Sequence, residues 1–146
     1  MMIIDGKKEA KILRQEIKKE IDLLKSKNNK VPGLTVILIG DYTPSQIYVN
    51  NKEKAAKEVG INSTVVRYPK EVSEQEVLEK IKKLNDDINV SGILVQLPLP
   101  AQISKEKIIN AINPSKDVDG FHPINVGNLS SGYNAIVPCT PLGCLL

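Results

Sequence analysis

Tryptophan is absent from this 146-residue chain, and four Tyr and one Phe are its only aromatics. So few aromatics give little support to a base-stacking platform, and a net charge of +3 gives little to a nucleic-acid surface. The two cysteines, Cys139 and Cys144, cannot build a disulfide framework, and with a single histidine they fall short of a zinc quartet. No metal site is expected. No apolar run is long enough for a transmembrane helix. The N-terminus, Met1-Met2-Ile3-Ile4-Asp5, meets charge too early to form a signal-peptide h-region. The expectation is a reduced, cytoplasmic protein with neither membrane nor nucleic acid as partner.

What is present fits one ordinary globular domain: 41% of residues are hydrophobic and 25% charged. Charge is unevenly spread. Residues 1–60 carry 12 basic and 8 acidic side chains, whereas Gly120 to Leu146 carries no Asp, Glu, Lys or Arg. A solvated tail of that length normally carries charge, so this segment is expected to lie against something. Its Gly, Pro and Asn content reads as ordered turns. Thr140-Pro141 reads as a helix start, with Thr as N-cap and Pro at the first helical position. Leu142, Cys144, Leu145 and Leu146 then open an apolar segment that stops after one or two turns. The chain is therefore read as part of a longer protein, and both cysteines as buried thiols.

Periodicity predicts alternating helices and strands. Ala10, Leu13, Ile17, Ile21 and Leu24 recur at three- and four-residue steps, an amphipathic helix from about Gly6 to Lys27. Gly33 to Gly40 is a short, β-branched apolar run suited to a buried parallel strand. A second helix follows Pro44 and ends at Gly60. Ile61 to Tyr68 is the next strand. Ser73-Glu-Gln-Glu76 has the form of a capping box, with Val72 and Val77 as its hydrophobic staple. Val77, Leu78, Ile81 and Leu84 then form the buried stripe of a third helix. Gly92 to Gln96 is a third buried strand, halted by Pro98 and Pro100, and a short helix from Ser104 to Ala111 precedes a turn-rich segment. Such alternation implies an α/β fold, a three-layer domain with a mainly parallel sheet flanked by helices.

In such a sheet, ligands bind beyond the carboxyl ends of the strands. Those ends are Gly40-Asp41, Tyr68-Pro69 and Gln96-Leu97-Pro98. The helix after the first strand starts at the same edge, which brings Tyr48, Lys52 and Gln96 near one another. At about 100° per residue, Tyr48, Lys52, Ala55 and Val59 share one stripe, opposite Asn50, Glu53, Lys54 and Lys57. Lys52 thus falls on the face expected to be buried, where a lysine is costly unless paired, neutral or used. The alternatives are bland: a snorkelling lysine, a core-edge tyrosine and a polar strand terminus. Asp117 and Asp119 flank a turn ending in Gly120, as isolated Asp-Gly pairs often do. His122 reads as a structural loop histidine and not a catalytic base. Tyr-x-x-x-Lys is also the catalytic pair of short-chain dehydrogenases, but no glycine-rich dinucleotide loop precedes it here.

Four segments occur in order: Ser45-Gln-Ile-Tyr48-Val-Asn-Asn-Lys52-Glu-Lys-Ala, Gly92-Ile-Leu-Val95-Gln96-Leu97-Pro98-Leu-Pro100, Lys116-Asp-Val-Asp119-Gly120-Phe-His-Pro, and Pro138-Cys-Thr-Pro141-Leu-Gly143. Together they closely resemble the amino-terminal half of the bifunctional methylenetetrahydrofolate dehydrogenase/methenyltetrahydrofolate cyclohydrolase family. The resemblance implies the first of two domains. Residues 1–139 would be the folate-binding catalytic domain, and 140–146 the start of a connecting helix toward an NADP-binding Rossmann domain outside this chain. It implies oxidation of 5,10-methylenetetrahydrofolate with NADP, then hydrolysis of the methenyl product to 10-formyltetrahydrofolate.

By the same resemblance Lys52 is the central residue of the hydrolytic step, since an amine on an apolar wall can activate water or shuttle a proton. Gln96 orients Lys52, Tyr48 stacks on the folate rings, and Asp119 accepts from the pterin amino edge. These four form the implied catalytic set. Ser45, Val95, Leu97 and Pro98 join them in lining the folate site. NADP would be held by the other domain, no metal is implied, and the parent would be a homodimer acting on tetrahydrofolate in the cytoplasm. Two other readings stand beside this one: a non-catalytic folate-binding module, and an unrelated α/β domain with a structural Lys52.

Overall fold

The computed structural model of the chain describes residues 5–28 and 30–145. Met1 to Ile4 and Leu146, on which the N-terminal and C-terminal readings partly rest, lie outside the described residues. The order is α1 (Gly6–Asn28), β1 (Gly33–Ile39), α2 (Thr43–Val59), β2 (Asn62–Tyr68), α3 (Glu74–Asp86), β3 (Gly92–Val95), α4 (Lys105–Ala111), a 3-10 turn (Pro114–Lys116), α5 (Pro123–Ser130) and α6 (Cys139–Leu145).

β1 is the middle strand of a three-stranded sheet ordered β2-β1-β3, and both pairings are parallel. Val36 stands opposite Val65 on one side and Leu94 on the other. A strand covered on both faces needs apolar residues at successive positions, which is what Val36 to Ile39 supply, each 5% exposed or less. Alternation then sends their side chains to two cores. Ile37 and Ile39 pack with Val77 and Ile81 of α3 and Ile108 of α4, while Val36 and Leu38 pack with Val49 of α2. Helices therefore flank both faces of the sheet, and α1 lies outside α2.

Local chemistry sets the helix ends. Ser73 accepts from the Glu76 N–H at 3.2 Å, capping α3, and buried Val72 and Val77 accompany it. Gly60 ends α2 in the left-handed region at φ 92°, which costs glycine nothing and other residues about 1–2 kcal/mol. Glu74 joins α3 to α4, accepting from the Ser104 N–H and from Lys107 Nζ, both at 2.7 Å. Lys116 Nζ donates to the carbonyls of Leu84, Asn85 and Asp87 at 2.8–2.9 Å, closing the C-terminal end of α3.

The structure corrects expectations at both ends of the chain. Within the predicted stripe of α1 only Ile21 is buried; Leu13 and Leu24 are exposed, because α1 packs chiefly along one side of α2. The uncharged segment lies against the other described residues only in part. Only Gly120, His122 and Asn125 are buried in it, while Ile124, Val126, Tyr133 and Leu145 are exposed. That segment is also more helical than turn content suggested, since Pro123 starts α5. Finally, α6 begins at Cys139, so Thr140 sits inside its first turn and is not the cap, and both cysteines are exposed free thiols. A short helix with no packed face buries nothing.

Ile81 is fully buried between α3 and the sheet. Ile81→Ala should lower unfolding free energy by about 2–5 kcal/mol, read as a lower urea midpoint at unchanged slope.

Candidate functional site

The site is built where β1 and β3 end and α2 begins. Gly40 leaves β1 with φ 79°, its N–H donating to Tyr68 O at 2.9 Å, and α2 starts three residues later with Pro44 in its first turn. Ser45, Tyr48 and Lys52 then follow at helical steps from that end. Ser45 is buried, and its hydroxyl donates to Leu97 O at 3.4 Å. Gln96 continues from β3, its N–H donating to Ile37 O at 2.9 Å, so the sheet carries the chain to this point. Its side-chain Nε2 donates to Leu97 O at 2.8 Å. Its Oε1 is thereby turned toward Lys52, whose Nζ donates to it at 3.3 Å. Lys52 is half-buried, in agreement with the stripe that singled it out.

Tyr48 is 63% exposed and is not a core-edge aromatic. The buried stripe of α2 runs through Ser45, Val49, Ala56 and Val59, one position round from the one expected, which leaves the Tyr48 ring in solvent one turn from Lys52. Leu97 is half-buried and Pro98 exposed at the corner after β3. Val95 is buried, and it lines a small cavity with Leu97, Asp117, Asp119 and Phe121.

Asp119 enters from a different part of the chain. It is half-buried, and burial pushes its carboxyl above the usual carboxylate range; the charge of Lys52 pulls it down, and that of Asp117 pushes it further up. Asp119 shares its cavity with Val95 and Leu97, the residues on either side of the Gln96 that Lys52 meets, which brings the 117–122 loop to the same edge as α2. All eight residues singled out from the sequence thus fall at one edge of the sheet: Ser45, Tyr48, Lys52, Val95, Gln96, Leu97, Pro98 and Asp119. His122 caps α5, its Nδ1 accepting from the Ile124 N–H at 3.2 Å, as a structural residue would.

Two residues escaped the sequence reading. Asp117, read as a turn residue, is 3% exposed, and Asn125 is buried within the uncharged segment. The available signal was a lone amide between Ile124 and Val126, whose polarity has no use on an apolar helix unless it is bonded. Among the described residues no cluster of three or more His, Cys, Asp or Glu is placed to hold a metal ion.

A carboxyl whose folded-state pKa lies above its unfolded value is protonated more readily in the folded state. Its contribution then falls as pH rises from the ordinary carboxylate range through the raised value. Asp119→Asn should match the parent at pH of about 3 and become the more stable of the two toward pH of about 7. Urea unfolding of both across this range tests the shift; a difference constant with pH would contradict it.

Comparison with known proteins gives the family. Residues 4–119 match the family described as tetrahydrofolate dehydrogenase/cyclohydrolase, catalytic domain. The bifunctional protein FolD of Pelagibacter ubique is 64% identical over all 146 residues, which cover 52% of that protein. FolD of Rhodospirillum rubrum is 53% identical, with 99% of this chain covering 50% of it. The crystal structure of the FolD dehydrogenase/cyclohydrolase from Campylobacter jejuni superposes with a TM-score of 0.93 at 48% identity, over 97% of this chain and 50% of that one. The Trypanosoma brucei enzyme, solved with NADP cofactor and inhibitor, gives a TM-score of 0.91 at 37% identity, over 95% and 48% of the two chains. The chain spans about half the length of the curated relatives it matches. With most of its length inside the match and its fold superposing on solved members, the chain belongs to the tetrahydrofolate dehydrogenase/cyclohydrolase family, through that family's catalytic domain.

Proposed function

We propose that this chain is the folate-handling half of a bifunctional enzyme. That enzyme oxidises 5,10-methylenetetrahydrofolate with NADP and hydrolyses the methenyl product to 10-formyltetrahydrofolate. The observation that carries this reading is the Lys52 Nζ to Gln96 Oε1 hydrogen bond, 3.3 Å, at a sheet edge that also holds Tyr48 and Asp119. The exposed Tyr48 ring offers a flat face to the folate rings, and Asp119 a half-buried acceptor for the paired N–H groups of a pterin. Ser45 and Gln96 both spend a hydrogen bond on Leu97 O, holding the Leu97-Pro98 corner beside the ligand.

For the hydrolysis, the cationic one-carbon bridge repels the Lys52 charge and sends its proton to solvent, after which a water oxygen bonds to the bridge carbon while the freed Lys52 amine takes one of the water's protons. The bond from that carbon to one nitrogen then breaks. The hydroxyl's remaining proton ends on that nitrogen, the formyl group stays on the other, and Lys52 releases its proton to solvent. Gln96 keeps the amine aimed through this sequence, and the fixed hydrogen bonds around Leu97 O leave little to reorganise.

NADP supplies the hydride acceptor of the first reaction, but the residues after β1 do not fit it. A dinucleotide cradle needs several glycines at the strand-to-helix turn, whereas Gly40-Asp-Tyr-Thr-Pro44 has one, followed by Pro44 in the first turn of α2. We place the NADP contacts outside these residues, with 1–139 as the folate-binding catalytic unit and 140–146 as the start of a connecting helix. The exposure of every described α6 residue supports that division. The same reading makes the parent a cytoplasmic homodimer.

The chain should accelerate the loss of methenyltetrahydrofolate absorbance, and Lys52→Met should lower that rate by about 10²-fold or more while tetrahydrofolate binding persists. Binding without turnover in the parent chain would favour a non-catalytic folate module instead. In a second assay, the 146-residue chain alone should show no NADP reduction with methylenetetrahydrofolate; a rate above the uncatalysed background would overturn the placement of the NADP contacts.

A further inference from the structure

Asp119 reaches the site on a loop, and loops hold a side chain in place only when something pins them. The pin is Asp117. Its carboxylate is 3% exposed and lies in no ion pair among the described residues. One oxygen, Oδ2, accepts from the His122 backbone N–H at 2.8 Å and from Asn125 Nδ2 at 2.9 Å. The first bond closes the chain around Asp119 and Gly120 from both sides. The second ties that closure to α5, and the same Asn125 amide also donates to Pro114 O at 2.9 Å. The backbone of Asp117 is itself anchored, since it bridges Ile93 of β3 in parallel fashion at the edge of the sheet. Gly120 completes the turn at φ 66°, where a Cβ would run into Ile136 O. Sheet edge, turn and helix start are thus joined through one carboxylate oxygen, with Asp119 between the joined points.

A buried carboxylate is retained at a cost unless its hydrogen bonds are good. Nothing about turn formation requires a charge here, because exposed Asp-Gly turns form without burial. What the arrangement does accomplish is to fix where the next carboxylate, two residues on, stands.

We infer that Asp117 is a positioning residue: its bonds to His122 and Asn125 hold Asp119 beside Lys52, at the place where Asp119 meets folate. The folate part rests on the function proposed above, whereas the placement beside Lys52 does not. Lys116, whose ammonium is spent on three carbonyls at the end of α3, secures the other side of the same loop.

The test separates the two. Asp119 titration is followed by carbon-13 NMR of its carboxyl in the parent chain, with and without Lys52→Met. Loss of the Lys52 charge should move the titration upward. In Asp117→Ala the same Lys52→Met change should move it less than about half as far, because Asp119 no longer stands beside the lysine. Asp117→Asn keeps an oxygen for both donors and should preserve the full displacement. An equal displacement in Asp117→Ala and the parent overturns the inference. If circular dichroism shows Asp117→Ala unfolded, Asn125→Ala replaces it, with the same expectation and the same overturning result. Calorimetric titration with tetrahydrofolate supplies the second arm. Its Kd should weaken roughly tenfold in Asp117→Ala and stay within about twofold in Asp117→Asn. Unchanged affinity in both removes the functional part of the inference. Absence of binding by the parent chain refutes the folate reading instead, and the NMR comparison still decides the role of Asp117.

Discussion

The parallel pairing of β1 between β2 and β3 is the constraint from which the site follows. Because all three strands run the same way, their carboxyl ends reach one edge, and the helix that follows β1 must begin there. Gln96 is carried to that edge by the ladder itself, through its N–H bond to Ile37 O. Lys52 is carried there by α2, which is held down by buried Val49, Ala56 and Val59. The 3.3 Å bond between the two side chains is therefore a consequence of strand direction and helix register, with no special loop needed to produce it.

The charge pattern at this edge is asymmetric. The Lys52 amine faces a neutral amide acceptor, and the nearby carboxyl of Asp119 is shifted upward by burial more than it is pulled down by Lys52. The pair is thus not a simple salt bridge that would spend both charges on each other. A lysine left with a neutral partner keeps its nitrogen available for chemistry, and a carboxyl left without one keeps its oxygens available for a ligand's donors. Asp117, two residues away, adds a second buried negative charge that is bonded to backbone and amide donors.

Much of this was legible in the sequence because strands and helices carry periodic signals. Val36 to Ile39 and Val77-x-x-x-Ile81 each report a local rule that the structure meets, and Ser73-x-x-Glu76 forms the serine half of its capping box. Legibility failed where an apolar pattern is not matched by burial among the described residues. Leu13 and Leu24 of α1 and most apolar residues of α5 and α6 have the composition of packed faces, yet they remain exposed because nothing among the described residues covers them. Asp117 and Asn125 failed for the opposite reason: polar residues in a turn-rich segment look solvated until the structure shows them buried and bonded to each other.

The sequence by itself determined the α/β order as far as α4, the helix and strand boundaries there to within a residue or two, and the placement of Lys52 midway along α2 on its inward side. These follow from periodicity and capping, which act over fewer than ten neighbouring residues. Only the tertiary structure decided that Lys52 meets Gln96, forty-four positions away, that Asp119 feels Lys52, and that Asp117 ties the loop between them. Such contacts depend on how separate elements are stacked at one sheet edge, and no local pattern in the chain encodes their distances.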